Sequence, residues 1–323
     1  MIHRRSFLVG FGALGVLGSC KKQGQAAMPR VAVIPKGTTN EFWKTVHAGV
    51  KQAAQEEGID AVWKGPLKED DLKAQIELVQ SFVAQRVAAI VLAPLSDKAL
   101  LGPVKAAKSS GIPVVIFDSA LQGEEHDALV ATDNLAAGRL AAEEMQKVLG
   151  GKGKVVVLRY LEGSASTMER EKGFLDTIRK VTGIEVVSDN QYGGATTESA
   201  FSTSETLLSA RQAATGGVDG IFAPNESTTF GMLLALRKAN LAGKIKFIGF
   251  DASDKLVEGV RQGHLHALVL QNPRKIGYMA LKRAAQLLRK EPVERRFDTG
   301  AQLVTRDNLD DDGVRELLRA PEP

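Results

Sequence analysis

Short, continuous apolar runs alternate with helical repeats along most of this chain. A run that is apolar at every position, without alternation, is typical of a strand in a sheet covered on both faces. Alternation of such strands with helices predicts a parallel sheet flanked by helices, an α/β fold. The predicted strands are 30–35, 60–63, 88–94, 112–118, 128–133, 154–160, 184–188, 219–224, 245–251 and 266–271.

Ten predicted strands are many for one sheet, so the pattern favours two Rossmann-like lobes of about five strands each. Segments 114–120 (VVIFDSA) and 247–253 (FIGFDAS) support this division, because each ends a strand in Phe-Asp followed by small residues. In open α/β sheets, ligands bind beyond the carboxyl ends of the strands. Two lobes that face each other would place both sets of strand ends in one cleft.

The segment after the first strand combines a cation, an amide and two aromatic rings. Residues 38–41 (Thr-Thr-Asn-Glu) fit a capping box, which predicts a helix with Asn40, Phe42 and Trp43 in its first turn and Lys36 just past the strand. An aromatic face beside hydrogen-bonding groups suits a sugar ring. The alternative is that the two rings belong to the core and that Lys36 is a solvated loop residue.

Other strand ends also carry polar side chains. Asp118, Asn225, Asp251 and Gln271 each follow an apolar run, and Asn134 follows another after two residues. Carboxylates and amides accept and donate in planar pairs, which suits hydroxyl groups. The alternative is local: Asn134, Asn225 and Asp251 stand where helix N-caps belong, and Gln271 precedes an Asn-Pro turn.

Arg170 is the most informative single residue of the sequence. Residues 166–169 read as a second capping box, which places Arg170 in the first turn of a helix. Phe174 and Ile178 share its stripe and should pack on the sheet, so the guanidinium is expected to point into the cleft. Its fixed fork of donors matches vicinal hydroxyl oxygens or a carboxylate. The alternative is a structural ion pair.

The first twenty residues read as an export signal (1–20). Arg4 and Arg5 precede an apolar run, 7–18, that is shorter than the roughly 20 residues needed to cross a bilayer. Arg4-Arg5-Ser6-Phe7-Leu8 resembles a twin-arginine motif, with an ordinary Sec signal as the alternative. Residues 17–20 resemble a lipobox, which predicts a lipid anchor at Cys20, the only cysteine; 21–29 would be a tether.

Composition excludes several classes of function. The net charge is +4 at pH 7 and no basic stripe carries interleaved aromatics, so no nucleic-acid partner is expected. No glycine-rich loop opens a helix as a phosphate site requires. We find no catalytic constellation, metal cluster or cofactor motif, so neither an enzyme nor a cofactor is predicted. The histidines are dispersed at His3, His47, His126, His264 and His266.

From residue 30 onward the chain resembles the periplasmic sugar-binding proteins of ABC importers, which have the type I periplasmic binding protein fold, in the ribose and galactose group. The order and spacing of several segments, more than any one of them, carry the resemblance. These segments are 35–58, 75–94, 111–119, 131–134, 170–174, 221–236, 247–251 and 268–273.

The resemblance implies a ligand site and a division into lobes. The N-terminal lobe would be 30–132 plus 272–302 and the C-terminal lobe 133–271 plus 303–323, with hinges near 132–134, 271–273 and 301–304. Tyr192 would add a ring at the rim of the cleft. The implied ligand contacts are Asn40, Phe42, Trp43, Asp118, Asn134, Arg170, Asn225, Asp251 and Gln271, with Lys36 as an added cation.

Three positions depart from the ribose-binding pattern. Ser119 replaces an arginine, Ala93 an asparagine, and Lys36 a serine or threonine. Lys36 with the segment 63–66 (WKGP) also resembles members that bind a furanose-like quorum signal. Those members, however, lack the arginine at position 170, which favours a monosaccharide here.

The expected function is a monomeric receptor that closes on a sugar and delivers it to the membrane subunits of an ABC permease. A sensory receptor that feeds a chemotaxis or kinase partner would use the same fold. A related transcription regulator would need a DNA-binding motif where this chain carries its export signal. An enzyme on this fold would show turnover of its ligand.

Overall fold

The computed structural model describes residues 1–2 and 27–318. The predicted twin-arginine motif, Cys20 and most of the predicted tether therefore lie outside the described residues. Within the described part of the chain, no helix has the length and apolar character needed to cross a bilayer.

The described residues form twelve strands and ten α-helices in alternation. The strands are β1 (Arg30–Ile34), β2 (Asp60–Trp63), β3 (Ala89–Leu92), β4 (Val114–Phe117), β5 (Ala128–Ala131), β6 (Lys152–Arg159), β7 (Gly183–Tyr192), β8 (Gly220–Phe222), β9 (Lys246–Phe250), β10 (Ala267–Gln271), β11 (Arg296–Asp298) and β12 (Ala301–Thr305). The helices are α1 (Glu41–Glu57), α2 (Leu72–Ala84), α3 (Leu101–Ser109), α4 (Asn134–Val148), α5 (Ala165–Ile178), α6 (Thr197–Ala210), α7 (Glu226–Lys238), α8 (Asp254–Arg261), α9 (Pro273–Leu288) and α10 (Asp312–Leu318).

These strands form two six-stranded sheets, which confirms the predicted two-lobed α/β fold. The first sheet has the order β11-β5-β4-β3-β1-β2, and its neighbouring strands are parallel. The second has the order β12-β10-β9-β8-β6-β7 and is parallel except for β12, which runs antiparallel to β10. All ten predicted strands are present. The sequence analysis missed β11 and β12.

Helices cover both faces of each sheet and define the two lobes. In the first lobe α1 and α9 pack on one face and α2 and α3 on the other. In the second lobe α4 and α5 cover one face and α6, α7 and α8 the other. The cores are continuous apolar layers, which explains why these strands lack alternation.

The chain passes between the lobes after β5, after β10 and between β11 and β12. The three passages touch one another through one hydroxyl group. Thr132 Oγ1 donates to Gln271 Oε1 at 2.9 Å and lies 3.3 Å from Thr299 Oγ1. In the third passage the chain enters the second sheet at Ala301, where β12 begins. The sequence analysis placed the start of this part of the C-terminal lobe two residues later, at 303. That these segments act as hinges remains a prediction.

Candidate functional site

Two aspartates occupy equivalent places in the two lobes. Asp118 follows β4 and Asp251 follows β9, and both have positive φ, 61° and 65°. The backbone N–H of Asp118 donates to Val130 O, and that of Asp251 donates to Val269 O, each at 2.9 Å. Short polar residues tolerate this left-handed conformation better than others, and it turns the chain sharply at the strand end. The Phe-Asp ending that the sequence shows in segments 114–120 and 247–253 is therefore repeated in the structure of the two lobes.

Between the lobes, beyond the strand ends, lies a narrow polar cavity with a volume of only about 20 Å³. The predicted site residues that line it are Lys36, Asn40, Phe42, Trp43, Asp118, Arg170, Asn225, Asp251 and Gln271. The residues that line it without having been predicted are Glu69, Tyr160, Ser166, Thr167 and Glu226.

Lys36 is buried, so its interpretation as a solvated loop residue is wrong. Only 3% of it is exposed, and its Nζ lies 3.2 Å from Asp118 Oδ2. Nζ also donates to Ser166 Oγ at 3.0 Å and to Ser164 Oγ at 3.2 Å, both in the second lobe. The ammonium group thus donates to two hydroxyl oxygens and has a carboxylate beside it that balances its charge.

Helix α1 begins at Glu41 with Asn40 as its N-cap, so the predicted capping box at 38–41 is wrong. The threonine hydroxyls turn elsewhere: Thr38 donates to Pro66 O at 3.3 Å and Thr39 to Leu67 O at 3.2 Å. The Asn40 side chain makes no capping bond either. Phe42 and Trp43 do lie in the first turn, as predicted, and meet edge to face with centroids 5.0 Å apart.

Glu69, on the loop between β2 and α2, brings together groups from both lobes. Its Oε1 accepts from Asn40 Nδ2 at 2.9 Å and from Trp43 Nε1 at 2.7 Å. Its Oε2 accepts from the Tyr160 hydroxyl of the second lobe at 2.6 Å. Burial raises the pKa of Glu69, and the nearby Lys36 ammonium opposes that rise. The bond to Asn40 leaves the oxygen of that amide to face a ligand.

Glu226, the first residue of α7, reaches from the second lobe to the start of α1. Its carboxyl oxygens accept from the backbone N–H of Phe42 at 3.1 Å and of Glu41 at 3.4 Å. Burial and the neighbouring Asp251 and Glu69 carboxylates raise its pKa to about 8, against the opposing effect of the two N–H donors. The helix end that lacks a local cap is therefore capped across the cleft.

Arg170 is fully buried and is held on two sides. Its Nε donates to Asn134 Oδ1 at 2.8 Å and its Nη1 to Pro224 O at 2.9 Å. The guanidinium lies 4.0 Å from the centroid of the Phe250 ring. Its Nη2 has no hydrogen-bond partner among the described residues. One buried donor of a cavity-lining cation thus remains for a ligand.

The helix that carries Arg170 starts two residues earlier than predicted. Ser164 is the N-cap of α5, so the predicted box at 166–169 is wrong and Arg170 lies in the second turn. The Ser166 hydroxyl accepts a hydrogen bond from Lys36 Nζ and does not cap the helix. The predicted stripe is confirmed, because Arg170, Phe174 and Ile178 are all buried. Asn134 orients Arg170 from α4 and does not itself line the cavity.

Two glycines set the position of Arg170 by letting α4 and α5 touch backbone to backbone. A β-carbon on Gly138 would lie 2.1 Å from the backbone oxygen of Arg170. A β-carbon on Gly173 would lie 2.1 Å from the backbone oxygen of Leu135. Larger residues would push the helices apart and shift the guanidinium away from Asn134.

The second-lobe strand ends form a connected set. Asn225 is the N-cap of α7, as predicted, and its Oδ1 accepts from the N–H of Thr228 at 3.3 Å. Asp251 is not an N-cap, because α8 starts after Ser253. Its Oδ1 accepts from Gln271 Nε2 at 2.7 Å. Burial raises the pKa of Asp251 to about 6, although Arg170 and the bond from Gln271 oppose the rise. Both ends of the Gln271 amide are used, since Thr132 occupies the oxygen.

Tyr192 lies apart from the other predicted residues. It ends β7, is 40% exposed and accepts from Arg159 Nη1 at 3.0 Å. It is not among the residues that line the cavity.

The cavity presents groups that suit recognition of a polar ligand. It presents carboxyl, amide and guanidinium groups beside the rings of Phe42 and Trp43. No group of metal-ligating side chains occurs in the described part of the chain. The arrangement therefore suits recognition of a ligand with many hydroxyl groups.

Residues 31–292 match the model of the periplasmic binding protein domain family. The chain belongs to this family. A curated relative, the ribose import binding protein of Haemophilus influenzae, is 25% identical over 290 residues, covering 90% of this chain and 96% of its own. The family match and this relative together confirm the predicted class, a type I periplasmic sugar-binding protein, and the prediction that the chain is not an enzyme. It also implies an exported, periplasmic protein.

Two solved structures are similar over nearly their whole length. A carbohydrate transporter solute-binding protein from Agrobacterium radiobacter, in complex with D-arabinose, is 32% identical with a TM-score of 0.86; the match covers 91% of this chain and 100% of that one. An ABC transporter solute-binding protein from Agrobacterium vitis, with bound D-fucose, is 35% identical with a TM-score of 0.86, covering 90% and 100%. These likenesses confirm the fold of this periplasmic binding protein.

Proposed function

We propose that this periplasmic binding protein is a receptor that captures a monosaccharide between its lobes and delivers it to the permease of an ABC importer. The observation that carries the proposal is the free Nη2 of Arg170, a buried donor that lines the cavity without a partner among the described residues. A ligand oxygen would accept a hydrogen bond from this Nη2 group. That bond would be favourable, because a buried donor without a partner costs about 1–3 kcal/mol.

The other groups of the cavity suit a neutral sugar. Asp118, Asp251 and Glu69 offer acceptors for hydroxyl donors, and the face of an aromatic ring suits the apolar C–H face of a sugar. The relatives support this class. One is a ribose import binding protein, and the two similar structures contain bound D-arabinose and D-fucose.

Capture would occur by closure of the lobes. Hydrogen bonds already cross the cleft, among them those from Lys36 to Ser166, from Tyr160 to Glu69, and from the Phe42 N–H to Glu226. The passages at 131–134, 271–273 and 298–301 would act as hinges. A ligand that touches both lobes stabilises the closed form by the contacts it makes only there.

We extend the proposal to location and partners. The sequence supports export by a twin-arginine signal and a lipid anchor at Cys20, followed by a tether. The receptor would act as a monomer beside its permease and would bind no nucleic acid. Export would be tested by fractionation of cells that express the full chain with Cys20 or with Cys20→Ala, which should release the protein from the membrane.

The rival ligand classes lack a specific observation in their favour. An anionic or furanose-like signal that used Lys36 would need that ammonium group to be free. Asp118 and two serines already occupy it. A sensory role would use the same site and differs only in the partner protein.

A thermal-shift screen against pentoses, hexoses, deoxy sugars and polyols tests the proposal. A bound sugar should raise Tm by mass action, with about 2.7 kcal/mol of stabilisation at a hundred times Kd. Arg170→Lys keeps the charge but loses the fork, so it should abolish the shift. Arg179→Lys, at the exposed end of the same helix, is the matched control and should keep it. A response to acids alone, or to no sugar, would overturn the proposal.

A further inference from the structure

One short segment of the second lobe, residues 160–166, runs from the end of β6 into α5 and is bonded to the first lobe at several points. It is called the docking segment below. Its first-lobe partners stand in the loops after β1, β2, β3 and β4, one in each loop. The hydrogen-bonded pairs are Tyr160 with Glu69, Gly163 with Asp97, Ser164 and Ser166 with Lys36, and Ser166 with Ser119.

Two of the serines in these pairs lie outside the cavity. Ser119 and Ser164 are 0% and 2% exposed, and neither is among the residues that line the cavity. The backbone N–H of Ser166 donates to Ser119 Oγ at 3.1 Å, and Lys36 Nζ donates to Ser164 Oγ at 3.2 Å. The two hydroxyl groups therefore join the lobes without lining the site where a sugar would bind.

The same bonds complete the start of α5, the helix that carries Arg170. Ser164 is its N-cap, but the Ser164 side chain makes no capping bond. The N–H of Ser166, which has no partner within the helix, donates instead to Ser119 of the first lobe. Because Glu226 caps α1 in the opposite direction, each lobe caps a helix of the other.

The docking segment lies far from the passages between the lobes. In the second sheet the passages join β10 and β12, and β6 is three strands from β10, a distance of about 14 Å at the usual strand spacing of about 4.8 Å. A rotation of about 15° about the passages would move the segment by about 4 Å, which breaks a hydrogen bond of about 3 Å. The docking segment therefore has to detach when the lobes open.

We propose that Ser119 and Ser164 are positioning residues that set the rate at which the receptor releases its sugar. They hold the docking segment against the first lobe, so their bonds break before the cavity opens. The role in release rests on the proposed function. The attachment of the segment is a property of the protein itself and can be measured without a ligand.

Stopped-flow kinetics with D-ribose, D-arabinose and D-fucose test the inference. Trp43 lines the cavity, so its fluorescence should change on binding. Ser164→Ala removes an acceptor of Lys36 and should raise the dissociation rate constant about 3- to 10-fold, with the association rate constant within about twofold. Ser119→Ala should act in the same direction. A dissociation rate constant that neither substitution changes, or an effect on association alone, overturns the inference.

Ser204→Ala is the matched control. Ser204 is a fully buried serine of the same lobe, and its hydroxyl donates to Ala200 O at 2.6 Å within α6. The substitution removes a buried hydrogen bond that does not cross the cleft, so both rate constants should stay unchanged. If Ser204→Ala raises the dissociation rate constant as much as Ser164→Ala does, the effect is a general loss of stability and the inference fails.

Amide hydrogen exchange of the sugar-free protein tests the attachment by itself. The backbone N–H of Asp97, in the first lobe, donates to Gly163 O of the docking segment at 2.9 Å. Ser164→Ala and Ser119→Ala should each speed exchange of this amide by about threefold or more. Exchange of the Val104 amide, which is bonded within α3 of the same lobe, should not change. Unchanged exchange at Asp97 overturns the inference.

The two measurements separate this inference from the proposed function. If the unaltered protein binds none of the three sugars in stopped-flow or calorimetric experiments, and no other sugar shifts its Tm, the proposed function fails and the role in release fails with it. The Asp97 amide then still decides whether the two serines hold the docking segment. If a sugar binds and the serine variants release it at the unaltered rate, only this inference fails.

Discussion

The carboxyl group of Glu226 accepts a hydrogen bond from the backbone N–H of Phe42 at 3.1 Å, although the two residues belong to opposite lobes. The first N–H groups of a helix have no partner within it. In α1 the neighbouring Asn40 makes no capping bond with its side chain. The cap comes from the second lobe, so it is complete only while the lobes are closed around the cavity.

Loss of this cap should weaken ligand binding more than it weakens the fold. Glu226→Ala is expected to raise Kd by about 2- to 30-fold, since a lost cap costs about 0.5–2 kcal/mol and here the cost falls on the closed form. Calorimetry gives Kd, and urea unfolding of the ligand-free protein gives stability. Glu198→Ala, also in the first turn of a helix but exposed, is the control. Equal effects of both substitutions would contradict the cross-cleft cap.

Ligand affinity should fall as pH rises. In the closed form, burial beside Asp251 and Glu69 raises the pKa of Glu226 from 4.5 to about 8. Opening returns the carboxyl to water and to its ordinary pKa, so closure takes up a proton between these values. The closed form is thus favoured fully below the ordinary pKa, and this advantage is lost as pH rises towards about 8.

Titrations between about pH 5 and pH 9 measure this linkage. Glu226→Gln, which cannot titrate, should flatten the dependence, leaving the smaller contribution of Asp251, whose pKa is raised to about 6. An affinity that increases with pH would show that the sign is wrong.

The close contact of α4 and α5 should be intolerant of a single methyl group. Gly138→Ala places a β-carbon 2.1 Å from the Arg170 carbonyl, so we expect a loss of about 2 kcal/mol or more in the free energy of unfolding and weaker binding. Gly102→Ala is the matched control, because it lies in α3 with open space around it. That change should be neutral or stabilise by up to about 1 kcal/mol. Similar outcomes for both would refute the role of the contact.

The hydroxyl of Thr132 should matter for binding although it lies among the passages between the lobes. Thr132→Val keeps the shape but removes the donor to Gln271 Oε1, which frees the Gln271 amide to turn away from Asp251. We expect a loss of about 1–3 kcal/mol in unfolding free energy and a severalfold rise in Kd. Thr206→Val, on the exposed face of α6, serves for comparison and should change neither.

The fold was largely predictable because its core strands are apolar on both faces. The exceptions are β11 and β12, where 296–298 (RFD) and 301–305 (AQLVT) carry no continuous apolar run. Both lie at the edge of a sheet and join it through backbone pairing. Such strands are held by their neighbours more than by their own side chains, so periodicity alone does not reveal them.

The site was predictable wherever a polar residue ends an apolar strand, as at Asp118 and Asp251. The same rule applies to Tyr160, which ends the run 154–160 and was overlooked because it looks apolar. Glu226 was hidden by a common local role, since acids favour the first turn of any helix. Glu69 carries no local signal: its loop has no periodicity, and its partners lie 26 or more residues away.

The most direct test of the central claim is a crystal structure of the protein grown with the sugar that gives the largest thermal shift. The account predicts one sugar ring in the cavity between the lobes, with an oxygen accepting from Arg170 Nη2 and a face against the aromatic rings of Phe42 and Trp43. A sugar bound elsewhere, or a cavity that holds an anion on Lys36 with Asp118 displaced, would contradict it.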